Sequence, residues 1–292
     1  MQQIKRGIYF EDAYIGVTLG ALVYSHGTIL IDAPLRPEDA RSWRSALLNQ
    51  RGGASRLLIS LDAHLDRTLG TRALDCTIVA HQKTAQVYRN RPTIFKGQSI
   101  EGGAEWENYN EAIGTRWTSP DITFTQQLSM HWGGPEILLE HHPGPSAGAI
   151  WVIIPDEKVV FVGDALAIDQ PPFLANSDLT TWIEALDLLV SSYKDYNIVS
   201  GRGGLVGIDS VRTQIKYLIN LNKGLERLAK RNSPAEDTED LVPALLSSLN
   251  FPASRHDQYF QRLSTGLFHY YTRHYRNADG LEDEEIEENE NG

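Results

Sequence analysis

The segment SRLLISLDAHLDRTLG, residues 55–70, restricts the fold more than any other part of the chain. It opens with a continuous apolar run instead of an alternating one, the pattern of a strand covered on both faces. Such a strand needs a packed layer on each side, which points to a layered α/β architecture. Directly behind it stand Asp62, His64, Asp66 and Arg67. Alternate positions there can coordinate a metal or move a proton, and a guanidinium follows.

The rest of the chain reads as layers too. GIYF, AYIGVTLGALVYS and TILIDAP are short β-branched runs separated by turns. From Arg36, Ala40, Trp43, Ala46 and Leu47 recur at helical spacing until RGG stops the pattern. CTIVA is a second buried strand, followed by the polar helix HQKTAQVYRN. Residues 93–120 form a Gly-rich connection whose Trp106, Tyr109 and Trp117 argue for a packed lid. Strand signals return at DITF, EILLEHH, GAIWVII and KVVFVGD, then a helix at DLTTWIEALDLLVSSY and a strand at NIVSG. A long helix from Asp209 carries Val211, Ile215, Leu218, Leu225 and Leu228 on one stripe. A last helix carries Phe260, Leu263, Leu267, Tyr271 and His274 at core spacing.

Composition removes several function classes. No apolar run approaches the roughly 20 residues of a bilayer span, so a membrane partner is not expected. The one cysteine, Cys76, excludes an internal disulfide, and with no signal-peptide pattern at the start the expected setting is cytoplasmic. The last twelve residues hold seven acids and no Lys or Arg, so the net charge of −11 becomes −4 once they are set aside. Such a tail is expected to be disordered, and the near-neutral remainder gives no electrostatic reason for a nucleic-acid partner.

Four stretches, in order and at normal spacing between about residues 8 and 230, resemble the metallo-β-lactamase superfamily. They are GVTLGALVYSHGTILIDAPLRPEDA, LLISLDAHLDRTLG, HHPGPSAGAIWVIIPDEKVVFVGDAL and DLTTWIEALDLLVSSYKDYNIVSGRGG. The resemblance implies an α/β fold, an αββα sandwich of two packed sheets flanked by helices, with C-terminal helices added. The expected division is residues 1–232 for the metallo-β-lactamase-like domain, 233–278 for a helical extension packed on it, and 279–292 for the acidic tail.

The resemblance also implies a site at one edge of the sandwich, where family members hold one or two metals, usually zinc. In the T-H-x-H-x-D-H signature the first His falls at Asp62, the second at His64, the Asp at Asp66 and the next His at Arg67. The His of P-G-H falls at Pro145, the bridging Asp at Asp164 and the final His at Arg202. Arg67, Pro145 and Arg202 cannot coordinate, so a second metal is left short of ligands. Two readings follow. One is a hydrolase of unknown substrate with at most one zinc or other divalent ion on Asp62, His64 and Asp164, His142 lending a nitrogen. Asp66 would then orient or deprotonate the water, and Arg67 or Arg202 would bind an anionic group of a small-molecule substrate. The other is a non-catalytic scaffold, a pseudoenzyme with a binding or regulatory role and no need of metal, in which Arg67 and Arg202 replace the ions by pairing with the carboxylates.

Remaining motifs have plainer readings. GRGGLVG lacks the Lys of a phosphate loop and reads as a tight turn. GPSAG precedes a strand, whereas a nucleophile elbow precedes a helix. His26 reads as a turn residue and His81 as a helix start. His141 stays ambiguous in direction beside His142.

Overall fold

A computed structural model describes residues 1–50, 53 and 55–276. The acidic segment 279–292 therefore lies outside the described residues. The first sheet runs in chain order: β1 (Gln2–Lys5), β2 (Ile8–Glu11), β3 (Leu19–Val23), β4 (Gly27–Ile31), β5 (Ser55–Ile59), β6 (Thr77–His81) and β7 (Ile122–Phe124). Its first four strands are an antiparallel meander, and β4 to β7 are parallel. The second sheet holds β8 (Gln127–Met130), β9 (Ile137–His141), β10 (Ile150–Ile154), β11 (Val159–Phe161), β12 (Asn197–Ser200) and β13 (Gly204–Val206), in the spatial order β13-β12-β11-β10-β9-β8. Helices α1 (Pro37–Leu48), α2 (Leu65–Thr68) and α3 (Gln82–Asn90) belong to the first half. The second half adds α4 (Leu179–Ser192), α5 (Ile208–Lys230), α6 (Val242–Ser247) and α7 (His256–Tyr271).

The two sheets pack face to face, and the layering explains the continuous apolar strands. In β5, Leu57 and Ile59 enter the core between the sheets, while Leu58 turns to the opposite layer with Trp43 and Leu47 of α1. In β10, Ile150, Val152 and Ile154 face inward, while Trp151 and Ile153 meet α4 and α5. A strand with helices on one face and a sheet on the other has no face left for polar residues. The same outer cluster holds Leu245 of α6 and Leu263 and Leu267 of α7, so the C-terminal helices share one apolar core with the second sheet. The α/β sandwich expected from the sequence is the architecture found.

One element departs from the sequence pattern. The run AYIGVTLGALVYS becomes strand only at Leu19–Val23. Before it, Thr18 donates its backbone N–H to the carbonyl of Gly201 at 2.7 Å, and its hydroxyl accepts from the N–H groups of Gly203 (3.3 Å) and Gly204 (3.1 Å). These contacts pin the β12–β13 turn, so residues 13–18 serve the sandwich edge instead of pairing in the sheet. Among the described residues no helix is long and apolar enough to cross a membrane.

Candidate functional site

The chain leaves β5 at the edge of the sandwich and turns at once into α2, a single helical turn. Asp62 Oδ1 accepts from the backbone N–H of His64 at 2.8 Å, and His64 caps α2 by accepting from the Asp66 N–H through Nδ1 at 3.1 Å. That local hydrogen bonding turns Asp66 and Arg67 inward, and both are fully buried.

Arg67 is the hub of the centre. Its Nη1 donates to Asp32 Oδ2, its Nε lies 2.9 Å from Asp62 Oδ1, and its Nη2 pairs with Asp164 Oδ1. Arg202 completes the arrangement from the β12–β13 turn. It forks onto Asp164, Nε to Oδ1 at 3.1 Å and Nη2 to Oδ2 at 3.2 Å, and donates from Nη1 to Asp66 Oδ2 at 2.9 Å. Its Nη2 also lies 3.1 Å from His64 Nδ1. Bidentate geometry of this kind is what a planar guanidinium supplies and a point charge cannot.

Gly201 sets the approach of the two loops that meet here. Its N–H donates to the Gly163 carbonyl at 2.7 Å, and a Cβ on Gly201 would run into that same carbonyl group. The glycine-rich turn read from GRGGLVG is thus the device that brings Arg202 to Asp164.

The electrostatics follow from burial and pairing. Burial alone would raise the Asp164 pKa, but the Arg202 and Arg67 guanidiniums hold its carboxyl well below the usual carboxylate range. Burial pushes Asp32 up to about 7 despite Arg67, and it raises Asp62 as well. Burial and then Arg202 push His64 down to about 3. His64 is therefore neutral, and because Nδ1 accepts from Asp66 the ring proton sits on Nε2.

The cluster thus brings together Asp62, His64, Asp66, Arg67, Asp164 and Arg202, all singled out in the sequence. His142 is elsewhere, which corrects its expected place among metal ligands. It shares the parity of Leu138 and Glu140, stacks on Trp151 at 3.8 Å and meets Glu140 Oε2 at 3.1 Å. His141, of opposite parity, stacks on His81 at 3.8 Å, and His81 caps α3. His26 is an exposed turn residue between Tyr24 and Trp132.

Two expected roles do not fit the geometry. Asp66 has no exposed surface; besides Arg202 it accepts from the backbone N–H groups of Glu105 (3.3 Å) and Trp106 (3.0 Å), so it cannot reach a water in the cavity. Arg67 and Arg202 aim their nitrogens at carboxylates and do not line the adjoining cavity, so they are not placed to bind a ligand's anionic group.

A zinc ion fits this donor set poorly. The carboxylates of Asp62 and Asp164 face Arg67, and His64 Nδ1 is held by the Asp66 N–H and Arg202. Pro145 has no donor to add, and among the described residues no group of three His, Cys, Asp or Glu side chains is disposed to hold a metal.

The connection 93–120 is a packed lid, as its aromatics suggested. Phe95, Trp106 and Ala112 bury against Leu65, Leu69 and Phe173. Its other anchor is Arg262 of α7, which donates from Nε (3.0 Å) and Nη2 (2.8 Å) to the Gly103 carbonyl and lies 4.2 Å from the Phe173 ring centroid. Burial, with Arg202 nearby, lowers the Arg262 pKa to about 10. Next to the centre a cavity of about 270 Å³ is lined by Asp62, His64, Arg91, Ser146, Asp164 and Phe173 among others, with Glu101 the residue that the lid contributes.

The sequence reading missed Asp32, Phe173 and Arg262. Asp32 had a visible signal, an acid closing the apolar strand of TILIDAP just as Asp62 closes its own. The other two carried none, because nothing local distinguishes an arginine on a core helix or a phenylalanine after a double proline.

Comparison with known proteins agrees with this architecture. The sequence profile of the metallo-β-lactamase superfamily matches residues 67–200. No curated protein matches. Among solved structures, a stereoselective inverting sec-alkylsulfatase from a Pseudomonas species aligns with a TM-score of 0.67 at 15% identity, over 96% of this chain and 51% of its own. This chain therefore spans about half of that sulfatase. A metallo-β-lactamase family protein from Thermus thermophilus aligns with a TM-score of 0.67 at 18% identity over 95% of both chains. A metallo-β-lactamase from Pontibacter korlensis aligns with a TM-score of 0.56 at 18% identity, over 75% of this chain and 98% of its own. Its sheet topology and these neighbours show that the chain has the metallo-β-lactamase fold, and the superfamily's profile matches just under half of it, residues 67–200.

Proposed function

We propose that this chain is a metallo-β-lactamase-fold protein without metal-dependent hydrolysis, a scaffold that binds a small molecule in the cavity next to this centre. The observation that carries the reading is the pairing of Arg67 with Asp32, Asp62 and Asp164 and of Arg202 with Asp164 and Asp66. Buried carboxylates this close repel one another unless a cation sits among them or protons neutralise them. Two guanidiniums meet that need without a metal. Hydrolysis of the kind named for the neighbouring sulfatase and β-lactamases draws on a metal to activate water in this fold, and here the acids and His64 Nδ1 already have partners.

The test is to give the family ligands back. The combined variant Asp62→His, Arg67→His, Pro145→His and Arg202→His should bind zinc in calorimetric titration, while the parent chain should not. Equal zinc affinity in parent and variant would defeat the proposal.

A further inference from the structure

Under that reading Asp62 and Asp164, although they line the cavity, are already paired with arginines, so a ligand must be recognised by the cavity's remaining groups. Three of those groups are buried donors without a hydrogen-bond partner among the described residues: His64 Nε2, Arg91 Nη1 and Ser146 Oγ. They come from three separate segments, yet all three residues line the same 270 Å³ cavity. His64 Nε2 is a donor because Nδ1 is the accepting nitrogen. Glu101 Oε2 lies 3.4 Å from it, but Glu101 also accepts from Asn176 Nδ2 at 3.1 Å. Leaving buried donors unmatched costs free energy, most of all for a charged group.

Arg91 has the plainest need for a counter-ion. Its Nη2 donates to the Ala63 carbonyl and its guanidinium lies 4.7 Å from the Trp117 ring centroid; the charges of Glu101 and Asp62 act on it, yet among the described residues neither forms an ion pair with it. Arg273, also in the lining, donates to the carbonyls of Ala175 and Ser177 and likewise has no carboxylate partner there. The same lining offers apolar surface in Val87, Pro145, Ala147 and Phe173, while its acids Asp62 and Asp164 already pair with Arg67 and Glu101 accepts from Asn176.

We infer that the cavity takes a small amphiphilic anion, its acidic head on Arg91 with Ser146 and its apolar body against Phe173, Pro145 and Val87. The inference rests on the metal-free reading, because a metal at Asp62 and Asp164 would attract the head instead. The volume, near the lower end of small-molecule sites, favours a short chain or a single ring.

Calorimetric titration of the full chain with sodium octanoate, octylamine and inorganic phosphate tests it. Octanoate should bind once per chain, octylamine should not bind, and phosphate alone should bind at least about tenfold more weakly for want of an apolar body. Arg91→Gln should weaken octanoate by about tenfold or more, with Arg91→Lys recovering part of the loss. Val87, which is 42% exposed, offers a variant with little risk to folding, and Val87→Trp should block the cavity and abolish binding. Absence of octanoate binding, equal binding of octylamine, or indifference to both Arg91→Gln and Val87→Trp would overturn the inference. Zinc is measured in the same samples. Bound zinc with Arg91-dependent octanoate binding overturns the metal-free proposal alone, whereas octanoate binding that a chelator removes overturns both.

Discussion

Replacing Arg67 by methionine keeps an unbranched apolar stem in the centre but removes its charge. In the native arrangement this side chain has no exposed surface and is the shared partner of Asp32, Asp62 and Asp164. Breaking a buried ion pair from one side typically costs about 3–5 kcal/mol, against roughly 0–1 for an exposed pair. Asp164 keeps Arg202, so the loss falls mainly on Asp32 and Asp62. Those two can escape by taking up protons, which makes the cost depend on pH. Without Arg67 their folded pKa values rise further above the unfolded value of 3.8, so the variant's relative stability is best at low pH and lost as pH rises. Urea unfolding followed through the fluorescence of the six tryptophans should show a midpoint lowered by roughly 1–2 M at about pH 8, and by much less at about pH 5. Zinc should restore part of the loss, since a dication can enter the vacated space. A midpoint within about 0.2 M of the parent at both pH values would mean that Arg67 does not carry the centre's charge balance.

Other consequences follow from single contacts. Gly201→Ala should drive the Arg202 turn away from Gly163 and Asp164, costing about 1–3 kcal/mol in chemical unfolding; a neutral result would remove the close approach as a constraint. Arg262→Met should release the Gly103 carbonyl and speed proteolysis within residues 93–120, leaving the sheets protected in hydrogen exchange. If the cleavage rate there does not change, α7 is not what holds the lid.

How far the sequence could lead is clear from particular residues. The strands were legible because Leu57 to Ile59 and Ile150 to Ile154 are apolar without alternation, a pattern with few structural explanations. The cluster of Asp62, His64, Asp66, Arg67, Asp164 and Arg202 was legible through motif order, since strand ends at one sheet edge converge in space. Direction was harder. His142 differs from His141 by one step of a two-residue period, and pairing with β10 decides which of them faces inward. The interior partners of the centre were out of reach for a different reason. Arg262 joins the site only because α7 packs against the lid, a contact between residues 159 apart. Asp66 likewise holds the lid through backbone N–H groups, which any residue type at positions 105 and 106 would supply.

The central claim, that guanidinium groups occupy the place of metal, has a direct measurement. Elemental analysis of the full chain, purified without chelator and dialysed against metal-free buffer, should find zinc, iron and manganese each well below roughly one ion per chain, and added zinc should leave the melting temperature unchanged. One or two ions per chain that survive dialysis, or a marked rise in melting temperature with stoichiometric zinc, would contradict the account.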